Sequence, residues 1–208
     1  MLMNRVERLE VRSRLRTHRL HRRVFPAFER LADPAAFRGC TVLEVGCGPG
    51  RAAEWALGRG AGRVVAIDAD PRMVALAARR LRGTPGGVRV ELGEASDTGL
   101  ADATVDVALE LQVLHHVTHW QAAIDELARV LRPGGSLLFE DSTAEALSEQ
   151  WWSRTVLTHP RDNRFSTEQF TDQLQSTGLV VDAVEQLVPG RWFLGAAHRP
   201  GPPAPRPT

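Results

Sequence analysis

The 208-residue sequence predicts an α/β fold: a three-layer sandwich around a mostly parallel, seven-stranded sheet that ends in an antiparallel C-terminal hairpin. Three observations carry this expectation. Short apolar runs alternate with segments of helical spacing through residues 41–141. The first run ends in a loop with glycine at every second position, Gly46-Cys47-Gly48-Pro49-Gly50. The last third changes character, with two β-rich runs joined by a tight turn.

The elements follow in order. Residues 4–32 place Val6, Leu9, Leu15, Leu20, Val24, Phe28 and Leu31 at helical spacing among many arginines, which predicts one or two amphipathic helices before the core. A strand over 41–46 leads to a helix over 50–60, and a second strand over 63–68 precedes Pro71, a residue suited to the first turn of a helix. Thr84-Pro85-Gly86-Gly87 breaks the chain before a strand over 88–92. Strands over 105–111 and 136–141 flank a helix whose apolar face carries Trp120, Ile124, Leu127, Val130 and Leu131, and Pro133-Gly134-Gly135 is expected to terminate that helix. A further helix over 143–157 carries Trp151 and Trp152. Ser166 with Gln169 three residues on reads as a capping box. Strands over 179–187 and 191–197, joined by Val188-Pro189-Gly190-Arg191, form the hairpin. The expected organisation is an N-terminal helical lid (1–37), one main domain (38–198) and a proline-rich tail (199–208) that cannot pack.

Composition narrows the partners. The formal net charge is +1, so no global field favours nucleic acid. All 26 basic residues are arginine and tyrosine is absent, so no phenol serves as an acid or base. The two cysteines, Cys40 and Cys47, make neither a disulfide framework nor a metal cluster, and they suit a reducing, cytoplasmic setting. The arginine-rich start is unlike a secretory signal, and no apolar run is long enough to span a bilayer. A solvated helix face explains those arginines better than an acidic partner or a membrane surface.

The glycine loop carries the chemistry. A dinucleotide fingerprint reads G-x-G-x-x-G, but here the glycines are Gly46, Gly48 and Gly50, and Arg51 stands in the third slot of the dinucleotide form. Glu44 lies just before the loop, where a carboxylate would repel a pyrophosphate and attract an ammonium group. Asp68, twenty residues beyond Gly48 at the end of the second strand, is placed to reach ribose hydroxyls. The pattern therefore suits a cationic nucleoside without a diphosphate. A glycine turn alone also fits an ordinary α/β protein; Glu44 and Asp68 tip the balance.

These motifs resemble the first motifs of the class I S-adenosylmethionine-dependent methyltransferases, of the small-molecule type, over roughly residues 38–141. The resemblance implies a Rossmann-like fold, S-adenosylmethionine as cofactor and S-adenosylhomocysteine as product. It implies that Gly46, Cys47 and Gly48 approach the cofactor's methionine end, that Glu44 holds the loop and faces the cationic end, and that Asp68 grips both ribose hydroxyls. Ala69 and Met73 would pack against adenine. Gly93-Glu94-Ala95 stands where the family usually has G-D-A, so Glu94 is one methylene longer than the usual acid, and the Ala95 backbone would serve an adenine nitrogen. The Leu111 carbonyl would bind the cofactor's amine. Leu114-His115-His116-Val117 matches a segment in which one histidine faces the substrate; His116 is the better match to a base by position, with His115 beside the substrate. Leu131-Arg132-Pro133-Gly134-Gly135 matches the turn before the fifth strand.

His159 is a second candidate base, and Trp151, Trp152, Arg164 and Trp192 are candidate walls of a substrate site, though each also reads as core or edge packing. Asp141 reads either as a base or as a cap for a helix starting at Ser142 or Thr143. No metal site is expected. The acceptor is expected to be a small molecule of bacterial secondary metabolism, methylated on oxygen, nitrogen or carbon by a monomer or homodimer. The segment after the fourth strand lacks the Asn/Asp-Pro-Pro-aromatic motif of enzymes that methylate DNA amines. A cyclase or lyase using the same cofactor, or a non-catalytic binding protein, remains the alternative. A nicotinamide enzyme is disfavoured by the glycine spacing.

Overall fold

The computed structural model describes residues 13–32, 37–144, 146 and 164–201. The described residues open with α1 (Arg14–Arg19), a π-helical turn (Leu20–Val24) and α2 (Phe25–Leu31) in direct succession. The doubly wound core follows: β1 (Thr41–Val45), α3 (Arg51–Gly58), β2 (Arg63–Asp68), α4 (Pro71–Arg80), β3 (Gly87–Leu92) and β4 (Val105–Leu111). A 3-10 turn (Leu114–His116) leads to α5 (Trp120–Val130) and β5 (Leu131–Ser142). The described chain ends with α6 (Thr167–Ser176), β6 (Val180–Val188) and β7 (Trp192–His198).

All seven strands form one sheet in the order β3-β2-β1-β4-β5-β7-β6. β1 to β5 are parallel, and β7 runs antiparallel to both of its neighbours, β5 and β6. The sequence pattern tracks position. The central strands β1 and β4 are apolar on both faces because helices cover both, whereas the edge strands β3 and β6 alternate exposed and part-buried residues.

One apolar cluster lies under α2, α3 and α4 and joins Phe25, Phe28 and Phe37 to Val42, Leu109 and Leu138. Trp55 stacks on Phe25 with ring centroids 4.8 Å apart. The other cluster lies under α5 and α6, where Trp120, Phe139, Phe165, Phe170 and Phe193 form an aromatic group. Six phenylalanines are essentially inaccessible to solvent, and each such burial contributes about 1.5–3 kcal/mol. The capping box at Ser166 forms as expected, with Ser166 Oγ accepting from Gln169 N and Gln169 Oε1 accepting from Ser166 N.

Several boundaries differ from expectation for identifiable reasons. α5 stops at Val130, ahead of Pro133-Gly134-Gly135, and β5 already begins at Leu131, which pairs with Val105 before a register shift. The exposed carbonyls at this helix end are held by Arg199, whose Nη1 donates to Ala128 O, Arg129 O and Leu131 O. Arg199 therefore belongs to the packed domain and not to the tail. Tail residues 202–208, the first twelve residues and most of the expected helix over 143–157 lie outside the described residues.

Candidate functional site

The C-terminal ends of β1, β2, β4 and β5 converge, as open α/β sheets arrange their binding crevices. Gly46, Gly48 and Gly50 all take positive φ (58°, 51° and 77°), a conformation that a side chain would strain. At Gly46 a Cβ would also stand 2.4 Å from Val113 Cγ2, so this glycine lets the loop after β1 touch the loop after β4.

Asp68 ties that loop to β2. Its Oδ2 accepts from Gly48 N and its Oδ1 from Asp70 N, both at 2.8 Å. Cys47 N adds a bond to Ile67 O at 2.9 Å. Asp68 is 5% exposed, and burial raises its pKa even though the two N–H bonds oppose the shift. Glu44 is nearly buried, and its Oε2 accepts from Ala53 N at 2.8 Å near the start of α3. Burial, with the negative charge of Asp68, pushes its pKa up to about 8, against the Ala53 bond and the Arg16 charge. The Cys47 thiol is driven far upward by burial and by those two carboxylates, which makes it an inert apolar group.

A second acidic group closes β4 and β5. Glu110, Glu140 and Asp141 are each fully buried. On the α5 side of the sheet, Glu110 Oε1 accepts from Val113 N at 2.9 Å and Leu114 N at 3.4 Å. Asp141 Oδ2 accepts from Leu114 N and His115 N at 3.0 and 3.2 Å, and its Oδ1 meets His115 Nδ1 and Ser142 N. The two acids thus cap the 3-10 turn, and Asp141 orients the His115 ring. Burial and the neighbouring acids, Asp141 first, push Glu110 well above the usual carboxylate range. Asp141 is not the cap of the segment that follows it, because β5 continues through Ser142; Thr143 Oγ1 fills that role by accepting from Ala146 N.

On the opposite face, two arginines of the N-terminal helices reach the same strand ends. Arg19 Nη1 pairs with Glu140 Oε1 at 2.5 Å, and its guanidinium lies 4.5 Å from the centre of the Trp192 ring. Arg16 Nη2 donates to the Leu111 carbonyl at 3.0 Å. Between them Gln112 sits at φ 60°, a strained conformation for a side-chain-bearing residue, with its N donating to Glu140 O at 2.6 Å and its Nε2 to Glu140 Oε1 at 3.1 Å.

The structure brings Glu44, Gly46, Cys47, Gly48 and Asp68 together around the loop after β1, and Leu111 ends the neighbouring strand β4. Ala69 is half-buried, whereas Met73 is 1% exposed and offers almost no surface for stacking. Glu94 is exposed at a turn closed by Asp97 N and Glu94 O, and Ala95 is buried. His115 is buried at 6% exposure, so its contact is Asp141 and not an open surface; His116 is half-buried, its ring centroid 4.0 Å from that of His115. Trp192 and Arg164 are half-buried, and Trp192 carries the Arg19 contact. Trp151, Trp152 and His159 lie outside the described residues. Sequence reasoning missed Arg16, Arg19, Glu110 and Glu140. Acids inside apolar strands were a readable signal for the two glutamates; nothing distinguished the two arginines from the many around them.

Residues 43–139 match a family described as the methyltransferase domain. A probable S-adenosylmethionine-dependent methyltransferase of Mycolicibacterium smegmatis is 32% identical over 155 residues, covering 74% of this chain and 57% of the relative. A ubiquinone biosynthesis O-methyltransferase of Xylella fastidiosa is 38% identical over 110 residues, covering 51% and 44% respectively. The chain thus spans about half the length of these curated relatives. The geranyl diphosphate C-methyltransferase of Streptomyces coelicolor, solved with Mg2+, geranyl diphosphate and S-adenosyl-L-homocysteine, superposes with a TM-score of 0.70 at 19% identity, covering 86% of this chain and 80% of that one. Taken with the strand order, these likenesses make residues 43–139 a methyltransferase domain.

Proposed function

We propose that the protein is an enzyme that transfers the methyl group of S-adenosylmethionine to a small organic acceptor in bacterial metabolism. One observation carries the reading: Asp68 stands at the crevice with each carboxylate oxygen holding one loop N–H, so each oxygen retains a second lone pair for a ribose hydroxyl. The donor set fits the cofactor family. A carbonyl at Leu111 suits an ammonium, and Glu44 ties the end of β1 to the start of α3 through Ala53 N. The positive-φ glycine loop lets main chain approach the ligand.

The cofactor supplies a methyl group already activated by its sulfonium. The residues of this chain have to hold, align and exclude water, and alignment alone is worth roughly 7–11 kcal/mol in favourable cases. In this reading Asp68 grips the ribose, the Ala95 backbone and Glu94 meet adenine, Ala69 borders the ring, and Leu111 receives the amine. On the acceptor side, Asp141 holds His115 Nδ1, which favours the tautomer with its lone pair on Nε2. His116, half-buried with its ring beside that of His115, is the group to take a proton from a hydroxyl acceptor, and His115 positions it; a neutral amine or activated carbon needs no such step. Arg164 borders this side of the site, and Trp192, under the Arg19 guanidinium of the N-terminal helix, borders the opposite face. The ubiquinone-pathway relative and the geranyl diphosphate neighbour support a small organic molecule as acceptor.

Incubation with methyl-labelled S-adenosylmethionine and a broad panel of small phenols, amines and prenyl compounds tests the reading. A labelled product with stoichiometric S-adenosylhomocysteine supports it. Product formed without loss of the methyl group points to a cyclase or lyase instead. Tight cofactor binding with no product from any acceptor points to a binding protein.

A further inference from the structure

The sheet has two borders, β3 and β6, and they are built differently. β6 shifts register at Val181/Ala183 and again at Gln186/Val188, and Arg30 of α2 clasps both carboxylate oxygens of its Glu185. Bulges and charged side chains of this kind keep a border from pairing with another chain. β3 instead runs in unbroken register with β2 from Gly87 to Leu92. Gly87 N donates to Gly62 O and Gly93 N to Asp68 O, so the odd-numbered residues turn their main chain toward β2. Val88, Val90 and Leu92 therefore direct their N–H and C=O groups outward. The side chains divide in the same way. Arg89 and Glu91 project from one face, where they pair with each other and stay open to solvent. Val88, Val90 and Leu92 project from the other, beside α4. There Val88 and Val90 line a groove of about 360 Å3 with Ala78 and Leu81, while Leu92 stands 64% exposed.

A two-fold axis normal to the sheet keeps each face on its own side, so β3 can meet a second β3 only even on even and odd on odd. An axis at Arg89 sets that arginine against its twin, and an axis at Glu91 sets two glutamates together. An axis at Val88 or Leu92 leaves both charges unmatched. An axis at Val90 places Arg89 of each copy opposite Glu91 of the other. In that register Val90 exchanges main-chain bonds with its twin and Val88 with Leu92, as their outward-facing groups permit. Leu92 of each copy then stands beside Val88 of the other, at the groove along α4. We propose that β3 is the dimerisation edge of this protein: two copies pair antiparallel about Val90 and join their seven-stranded sheets into one. Charge, main-chain bonding and apolar contact all agree on this single register. The pairing is independent of what the crevice binds.

Sedimentation equilibrium of the full chain over micromolar concentrations tests this on wild type, Arg89→Glu, Glu91→Arg and the double swap Arg89→Glu/Glu91→Arg. Wild type is expected to be dimeric. Each single reversal sets like charges opposite one another on both sides of the axis. It should raise the dimer dissociation constant roughly 10-fold or more, and the double swap should restore it to within about threefold of wild type. An equimolar mixture of the two single variants should form a heterodimer, because one then presents only carboxylates there and the other only guanidiniums. In wild type, amide hydrogen exchange at Val88, Val90 and Leu92 should slow as the concentration rises through the dissociation constant. That measurement needs no variant, so it holds even where a substitution lowers the melting temperature. Wild type that stays monomeric at every concentration overturns the proposal. So do single reversals that dimerise as wild type does, or amides at those three positions that exchange alike in dilute and concentrated samples.

Discussion

The carboxylate of Asp68 and the main-chain N–H of Gly48 meet at 2.8 Å, so the residue assigned to the ribose also fixes the shape of the glycine loop. Asp68→Ala should therefore do two things. It should weaken S-adenosylhomocysteine binding by about 1.5–3 kcal/mol through lost charged hydrogen bonds, and cost about 1–3 kcal/mol of stability by stranding the N–H groups of Gly48 and Asp70. Calorimetry and urea unfolding separate the two effects. Asp68→Asn, which keeps one acceptor oxygen, should lose less stability than Asp68→Ala; unchanged affinity in both variants would remove Asp68 from the site.

How much of this was legible beforehand depends on how local each signal is. The seven strands and the glycine loop could be read because alternation, turn residues and glycine spacing are written within a few residues of one another. Glu44 and Asp68 were readable for the same reason. The Asp141–His115 pair was not: its partners lie 26 residues apart and meet only because β4 and β5 are neighbours in the sheet. Arg16 on Leu111 is further still from any local pattern. Arg199 shows the opposite failure, since a proline-rich context disguised a residue that caps α5.

Glu44 gives the fold a pH slope. Its folded pKa is raised from 4.5 to about 8, so the native state keeps a proton that the unfolded chain releases. That contribution is fully present below pH 4.5 and is lost as pH rises through about 8. Glu110 and Glu140 are also raised by burial and add to the same trend. Glu44→Gln, which can still accept from Ala53 N, should flatten the fall in urea midpoint between pH 5 and pH 8, a difference of about 1–3 kcal/mol. A slope identical to that of wild type would show that Glu44 titrates normally.

Asp141→Asn should be costly. Its two oxygens serve Leu114 N, His115 N, Ser142 N and the His115 ring, and an amide NH2 would face donors in place of one of them. The expected loss is about 2–4 kcal/mol. Nitrogen-detected NMR should show the His115 ring moving away from the Nδ1–H tautomer, while His198, paired with Asp182 at the other end of the sheet, stays as it was.

Gly195→Ala tests the sheet itself. A Cβ there would stand 2.3 Å from Ala183 O and 2.4 Å from Phe139 Cζ, one of them rigid backbone. The variant should lose about 3 kcal/mol or more and melt at a lower temperature, with the near-ultraviolet signal of the Phe139–Phe193 aromatic group altered. Wild-type stability would mean that β7 shifts freely against β6.

β6 meets the sheet solely through β7, the strand made after it. During synthesis no upstream strand can pair with residues 180–188, and this ribbon waits for the chain to double back and slot between it and β5. A nonsense codon just ahead of Trp192 would therefore delete one strand outright and orphan a second, leaving β5 as a raw, sticky border open to pairing with other molecules.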